Sequence, residues 1–190
     1  MMNPRTSITH PLQIAEFTSP TAKGAIGVTF CPGKKQPGAL TGAWDRDLCI
    51  DLDAIKAWGA STVITLIEFH EMESLEVSDI EQQTVARGME WLHMPITDFS
   101  PPDQRFAQAW RKHGSRLLEE VRSGSRILVH CKGGLGRAGT VSALMLVELG
   151  MNPEDAMKAV RSARKGAIET REQEDYVRSS RGLRSAAEGQ

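Results

Sequence analysis

The chain has 190 residues, of which 40% are hydrophobic, and this length and composition are typical of one domain with its own core. Its formal net charge is −1, so no overall attraction to nucleic acid or to an anionic membrane is expected. No stretch has the length of a signal-peptide core or of a membrane span. The cysteines, Cys31, Cys49 and Cys131, are odd in number and form no disulfide framework, which fits a reducing compartment. We therefore expect a cytoplasmic protein.

Apolar runs and capping residues predict the elements of the first half of the chain. Residues 12–17 and 25–30 have the composition of short β-strands, and residues 62–67 form a β-branched run typical of a buried parallel strand. The spacing Ser78-x-x-Glu81 is that of a capping box, which predicts a short helix. Another helix is expected between Asp47 as N-cap and Gly59 at its end, and its apolar face consists of Leu48, Leu52, Ile55 and Trp58.

The second half continues this alternation. Residues 91–94 are expected to form a strand, and the next helix is expected to have Ser100 as N-cap, Pro101 at its first position and Asp103 at N3. Two later helices are capped by Asn152 and Thr170. The pattern predicts an α/β fold with a central, mainly parallel sheet flanked by helices on both faces. We expect a single domain over residues 1–190, with residues 1–10 and 179–190 mobile because they are polar and poor in core residues.

Residues 130–140 carry most of the functional information and read His-Cys-Lys-Gly-Gly-Leu-Gly-Arg-Ala-Gly-Thr. A strand that runs into a glycine-rich loop and then into a helix makes a cradle of backbone N–H groups for an anion. Cys131 begins this loop and Arg137 closes it, and a thiolate with a bidentate guanidinium is what covalent phosphoryl transfer requires. The alternatives are a buried cysteine beside a turn and a nucleotide-binding loop. A Walker loop is excluded because no Gly-Lys-Ser/Thr ends the segment.

This segment resembles the signature loop of cysteine-dependent protein phosphatases, His-Cys-x-x-Gly-x-x-Arg-Ser/Thr, with Gly134 at the family's glycine position. The form His-Cys-x-Gly-Gly-Leu-Gly-Arg is most similar to the kinase-associated branch of the dual-specificity phosphatases. The resemblance implies a phosphatase-like fold with Cys131 as nucleophile and Arg137 as a phosphate ligand. It also implies that backbone amides of the loop bind the substrate phosphate. These amides belong to Lys132, Gly133, Gly134, Leu135, Gly136 and Arg137.

A cysteine nucleophile needs a partner that protonates the leaving oxygen. Residues 94–103 follow a predicted strand and precede a helix, and they resemble the family's general-acid loop, in which an aspartate lies a few residues before Pro-Asp. Asp98 takes the acid position in this resemblance. The alternative for Asp98 is an ordinary turn aspartate.

Further residues of the family pattern have supporting roles. The resemblance implies that His130 holds the loop by hydrogen bonds and that Gln173 can orient the attacking water. Thr170 and Gln173 also have the spacing of a capping box, which explains Gln173 without any chemistry.

One position departs from the family pattern. Ala138 stands where the family has a hydroxyl residue that helps the sulfur leave when water attacks the phosphoenzyme. Thr140 or Ser142 could supply that hydroxyl instead, although neither has the same geometry.

The sequence therefore predicts a phosphoric monoester hydrolase that acts on phosphotyrosine and phosphoserine or phosphothreonine through a cysteinyl-phosphate. No cofactor or metal is expected, because Arg137 and the loop amides supply the positive field. The expected partner is a phosphorylated protein, with no nucleic acid and no membrane, and no pattern indicates an oligomeric state. Three alternatives stay open: a phosphoinositide phosphatase, a phosphopeptide-binding module with little turnover, and a thiol-based sulfur transferase.

Overall fold

The structure is a computed structural model that describes residues 3–40 and 42–180. Five strands form one sheet in the order β1-β2-β7-β5-β6, in which β1 is antiparallel to β2 and the remaining pairs are parallel. A small hairpin, β3 with β4, stands apart from this sheet. The strands are β1 Ala15–Phe17, β2 Ala25–Thr29, β3 Lys35–Gln36, β4 Trp44–Asp45, β5 Ala60–Thr65, β6 Glu90–His93 and β7 Arg126–His130.

Helices connect the parallel strands and cover the sheet. Their bounds are α1 Leu48–Trp58, α2 Phe69–Ser74, α3 Ile80–Ala86, α4 Gln104–Ser123, α5 Gly136–Glu148, α6 Pro153–Ala163 and α7 Arg171–Ser179. The cap residues of three helices were correctly predicted: Asp47 accepts the amide of Ile50, Asn152 accepts that of Asp155, and Thr170 accepts that of Gln173.

Strand β7 separates two apolar cores because successive side chains of a strand point to opposite faces. Ile127 and Val129 belong to the larger core, which α4 and α5 cover, whereas Leu128 belongs to the smaller core beneath α1. The apolar stripe of α4 packs against the larger core through Phe106 and Trp110. The predicted α/β fold, with a mainly parallel sheet between helices, is confirmed.

Two predicted helix starts are wrong. The Ser78-x-x-Glu81 capping box is not formed, because α3 begins one residue later, after Asp79. Helix α4 begins at Gln104, so Asp103 is its N-cap and not its N3 residue, and the carboxylate accepts the amides of Arg105 and Phe106. The physical reason lies in the two prolines that follow Ser100. A residue before proline avoids the helical region, so the helix cannot start until Pro102 has passed.

The N-terminal residues are attached to α1 by a buried arginine. The Arg46 guanidinium pairs with both carboxylate oxygens of Asp51 at 2.8 Å and donates to the carbonyl oxygens of Thr6 at 3.2 Å and His10 at 2.8 Å. Asp51 also accepts the amide of Gly33 at 2.9 Å. Within residues 1–10, predicted to be mobile, Thr6 and His10 thus accept hydrogen bonds from Arg46, and of residues 179–190 only 179 and 180 belong to the described residues. Among the described helices, none is long and apolar enough to cross a membrane.

Candidate active site

The glycine-rich loop lies at the carboxyl end of β7, the central strand of the sheet, and leads directly into α5. Open α/β sheets hold ligands at this edge. Gly134 has a φ of +68°, and a Cβ at this position would lie 2.5 Å from the backbone carbon of Thr29. Both the positive φ and the close approach to the end of β2 require glycine here. Cys131 begins the loop and is only 3% exposed.

Arg164, which follows α6, fixes the outer side of this loop. Its Nε donates to the carbonyl oxygen of Gly134 and its Nη2 to that of Gly133, both at 3.1 Å. Carbonyl oxygens repel anions. The hydrogen bonds to Arg164 keep the carbonyl oxygens of Gly133 and Gly134 turned away from an anion that the loop amides bind. Burial lowers the pKa of Arg164, and a negative charge on the nearby Cys131 opposes this shift.

Arg137 is held rigidly by a carboxylate that sequence analysis missed. Its Nη1 and Nη2 donate to the two carboxylate oxygens of Glu71 at 2.6 and 2.8 Å, and Nη1 also donates to the carbonyl oxygen of Ile96 at 3.0 Å. Burial alone would raise the pKa of Glu71, but the hydrogen bonds from Arg137 and the Glu68 amide lower it, so Glu71 stays ionised. The buried Nε of Arg137 has no protein partner among the described residues. This N–H is therefore available to an anionic ligand.

Asp98 lies beside Arg137, as the proposed general acid should. Its Oδ1 is 2.9 Å from Nη2 of Arg137, and its side chain remains 40% exposed, so a substrate can reach it. The next residue, Phe99, has a φ of +59°, which gives the loop a tight turn at this point. Burial alone would lower the pKa of Arg137, but the hydrogen bonds to Glu71 and the negative charges at Cys131 and Asp98 raise it. The structure thus brings the three predicted catalytic residues together.

His130 supports the loop from within the sheet. Its Nε2 is 2.7 Å from Oγ1 of Thr65, which accepts the indole N–H of Trp91 at 2.9 Å, and its Nδ1 is 3.5 Å from the carbonyl oxygen of Cys131. Because the carbonyl oxygen of Cys131 can only accept, the His130 proton lies on Nδ1, and Nε2 accepts from the Thr65 hydroxyl. Burial lowers the pKa of His130 to about 4, so the ring is neutral at physiological pH.

This buried histidine makes the fold sensitive to acid. The pKa of His130 is about 4 in the folded chain but 6.5 without burial, so only the unfolded chain binds the proton between these values. Stability should therefore fall as the pH decreases through this window. Between about pH 7 and pH 4.5 the loss from His130 should be about 2 kcal/mol. Urea unfolding of the wild type and of His130→Asn at both pH values tests this prediction. An equal decrease of the free energy of unfolding in the two proteins would contradict it.

Gln173 and Thr140 are placed mainly for structure. The side-chain oxygen of Gln173 accepts the amides of Glu169 at 2.9 Å and Thr170 at 3.2 Å, and its NH₂ group donates to the carbonyl oxygen of Ser100 at 3.2 Å. The predicted capping box is therefore present, and it also ties α7 to the acid loop. The Thr140 hydroxyl donates to the carbonyl oxygen of Gly136 at 2.7 Å, so its proton is not directed at the sulfur.

No signal in the sequence tied Glu71 to the loop. Arg164 belongs to a charge run with Arg161 and Lys165, and such a run fits either a solvated helix end or a guide for an anionic substrate if it faces the loop. Glu71 is one of two glutamates in a six-residue helix and belongs to no catalytic motif. Glu71, Glu68 and His70 could together offer ligand atoms to a metal, but both Glu71 oxygens already accept from Arg137.

Residues 36–177 match the family model described as Swiss Army Knife protein, DSP-PTPase phosphatase domain. Protein tyrosine phosphatase type IVA 3 of Homo sapiens is 34% identical over 121 residues, which cover 64% of this chain and 65% of the relative. Cyclin-dependent kinase inhibitor 3 of Rattus norvegicus is 28% identical over 139 residues, 70% of this chain and 62% of the relative. The chain thus spans less than two thirds of the length of either relative.

Solved structures show the same fold. Kinase-associated phosphatase superposes with a TM-score of 0.76 at 24% identity, over 88% of this chain and 92% of that protein. The active form of Tk-PTP superposes with a TM-score of 0.62 at 30% identity, over 86% of this chain and 98% of that protein. Together with the family match over residues 36–177, this shows that the chain belongs to the DSP-PTPase phosphatase domain family.

Proposed function

We propose that the chain is a dual-specificity protein phosphatase that hydrolyses phosphotyrosine and phosphoserine or phosphothreonine esters through a cysteinyl-phosphate. This proposal is supported by the proximity of three side chains near the carboxyl end of β7, those of Cys131, Arg137 and Asp98. No aromatic loop of the kind that deepens a tyrosine-only pocket is evident in the sequence, whose sole tyrosine is Tyr176. A shallow pocket admits the shorter phosphoserine side chain as well.

In the first step the Cys131 thiolate attacks phosphorus, an S–P bond forms, and the bond from phosphorus to the leaving oxygen breaks. The loop amides and Arg137 bind the equatorial oxygens, and the free Nε of Arg137 is one donor for them. Glu71 keeps the guanidinium in this orientation, so little reorganisation is needed when substrate binds. Protonated Asp98 gives its proton to the leaving oxygen, and we expect the bound phosphate to replace Asp98 at Nη2.

In the second step water attacks the phosphorus of the cysteinyl-phosphate. Asp98, now ionised, takes a proton from that water, the S–P bond breaks, and Cys131 leaves as a thiolate while inorganic phosphate is released. We expect the loop amides and the nearby cations to stabilise the departing sulfur. Ala138 supplies no hydroxyl, and the Thr140 hydroxyl is bound to Gly136.

The second step should therefore limit turnover. A rapid-quench experiment on the wild type is expected to show a burst of dephosphorylated product equal to the enzyme concentration. Ala138→Ser should raise kcat about tenfold, because one hydrogen bond to a charged group contributes about 1.5 kcal/mol. The same substitution should reduce the amplitude of the burst. The ratio kcat/KM should change little because it ends at the first irreversible step.

Ser142 provides the matched control for this prediction. Its hydroxyl is buried without a partner among the described residues, and it lies one helical turn after Ala138. Ser142→Ala should leave the burst unchanged. If the wild type shows no burst and Ala138→Ser has an unaltered kcat, another group already assists the sulfur.

Phosphate release from a panel of phosphopeptides and phosphoinositides, with and without a chelator, tests the proposed function. We expect release from phosphotyrosyl and phosphoseryl peptides that the chelator does not reduce. Binding of phosphopeptides without release would indicate a binding module. Release from phosphoinositides alone would make the chain a lipid phosphatase.

A further inference from the structure

Lys34 is a buried lysine that contacts the catalytic loop from the N-terminal part of the chain. It follows β2 and precedes β3, and it is only 5% exposed. Its Nζ donates to the carbonyl oxygen of Lys132, the residue after Cys131, at 3.3 Å. The ammonium group therefore lies directly behind the start of the loop that we propose to be catalytic.

Two aromatic rings lie beside this ammonium, and the guanidinium of Arg46, which is paired with Asp51, packs over the same rings. The ammonium lies 4.4 Å from the ring centre of Trp44 and 5.1 Å from that of Phe30, distances typical of cation–π contacts. Among the residues that the structure describes, no carboxylate pairs with Lys34. Burial lowers the pKa of Lys34 to about 8, so the side chain is still mainly charged at neutral pH. A buried cation needs a counter-charge, and a carboxylate does not supply it here.

Two thiols are close enough to favour the charged form of Lys34, those of Cys31 and Cys131. Cys31 is fully buried, and burial raises its pKa far above the usual range, so it stays a neutral thiol. Cys131 is therefore the group whose negative charge can balance Lys34. The pairing is reciprocal, since a cation that is stabilised by a thiolate stabilises that thiolate by the same free energy.

Other charged and titratable groups also face the Cys131 region, from several elements of the fold. Arg137, from α5, is bound by the carboxylates of Glu71 and Asp98. Arg164, after α6, binds two loop carbonyls, and Lys132 lies within the loop itself. His130, from β7, is neutral because burial lowers its pKa. Lys34 is thus the buried cation whose charge no described carboxylate offsets.

We propose that Lys34 is a positioning residue that stabilises the thiolate of Cys131 and fixes the carbonyl group of Lys132 at the start of the loop. The inference rests on the proposed role of Cys131 as nucleophile. Lys34 does not touch the substrate in this scheme, and it acts by keeping the sulfur ionised and the first loop residue in place.

Alkylation of Cys131 by iodoacetamide as a function of pH tests this directly, when followed by mass spectrometry of the peptide that contains Cys131. Iodoacetamide is neutral, so a change of local charge alters only the ionisation of the thiol. In Lys34→Met the midpoint of the profile should rise by about one pH unit, with alkylation about tenfold slower below the midpoint and equally fast at high pH.

Lys35→Met is the matched control, because the neighbouring Lys35 forms an exposed ion pair with Asp45 at 3.1 Å. It should leave the alkylation profile at the wild-type position. An unchanged profile in folded Lys34→Met would overturn the proposal. A wild-type Cys131 that reacts like an ordinary exposed thiol would instead count against the proposed nucleophile, so the two failures are distinguishable.

A second measurement does not depend on whether the Lys34 variant folds. The Lys34 side chain can be titrated by NMR through its Cε resonance in the wild type and in Cys131→Ser. Removal of the thiolate should lower the titration midpoint of Lys34 by about one pH unit, because the charged form loses its counter-charge. Identical Lys34 titrations in the two proteins would also overturn the proposal.

Discussion

Cys131→Ser is expected to reduce phosphate release to the uncatalysed background while phosphopeptide binding persists. A serine hydroxyl stays protonated at neutral pH without an adjacent base, so it cannot attack phosphorus as the thiolate does. The loop amides and Arg137 remain in place and still bind the phosphate. Steady-state phosphate release and fluorescence anisotropy with a labelled phosphopeptide measure the two properties separately.

Cys49→Ser is the control for this substitution, because Cys49 is exposed on α1 and has no contact with the loop among the contacts described. It should keep full activity. Substantial turnover in Cys131→Ser would contradict the assignment of the nucleophile. Loss of binding in a folded Cys131→Ser protein would show that the sulfur itself holds the substrate.

Asp98→Asn is expected to lower kcat by about 10² to 10⁴, the usual effect of losing a general acid. The loss should be large for phosphoserine, whose alkoxide is a poor leaving group. It should be smaller for an activated aryl phosphate, whose leaving oxygen needs little protonation. Because kcat is expected to be limited by the second step, comparison of kcat/KM across leaving groups of different pKa measures this dependence.

Asp103→Asn is the matched control, since Asp103 lies on the same loop but caps α4 and pairs with Arg105 at 2.8 Å. It should keep the leaving-group dependence of the wild type and cost at most about 1 kcal/mol of stability, because asparagine is also a good N-cap. If the rate loss in Asp103→Asn, and not that in Asp98→Asn, grew with the pKa of the leaving group, Asp98 would not be the acid.

The elements that the sequence predicts well are those with a complete local signal. Asp47 and Gly59 bound α1 because a side-chain cap and a positive φ act within one turn of the chain. The loop from Cys131 to Arg137 is equally local, since strand, glycines and helix follow each other directly. Parallel pairing of β7 with its neighbours then places this loop at the sheet edge where ligands bind.

The residues that the sequence could not predict act through contacts between distant segments. Glu71 reaches Arg137 across 66 positions, and Lys34 reaches Lys132 across 98. Neither lies in a motif, so only the folded chain shows that they meet the loop. The error at Asp103 has a different origin, because the effect of two successive prolines outweighed an otherwise good N-cap at Ser100.

The covalent state of Cys131 during turnover is the most direct measure of the proposed chemistry. The wild type would be mixed with a radiolabelled phosphotyrosyl peptide, denatured within the first turnovers, and digested so that the labelled peptide can be identified. We expect the label on the peptide that contains Cys131, at close to one phosphate per enzyme, and none in Cys131→Ser. Phosphate release without label on Cys131, or label on another residue, would contradict a cysteinyl-phosphate intermediate.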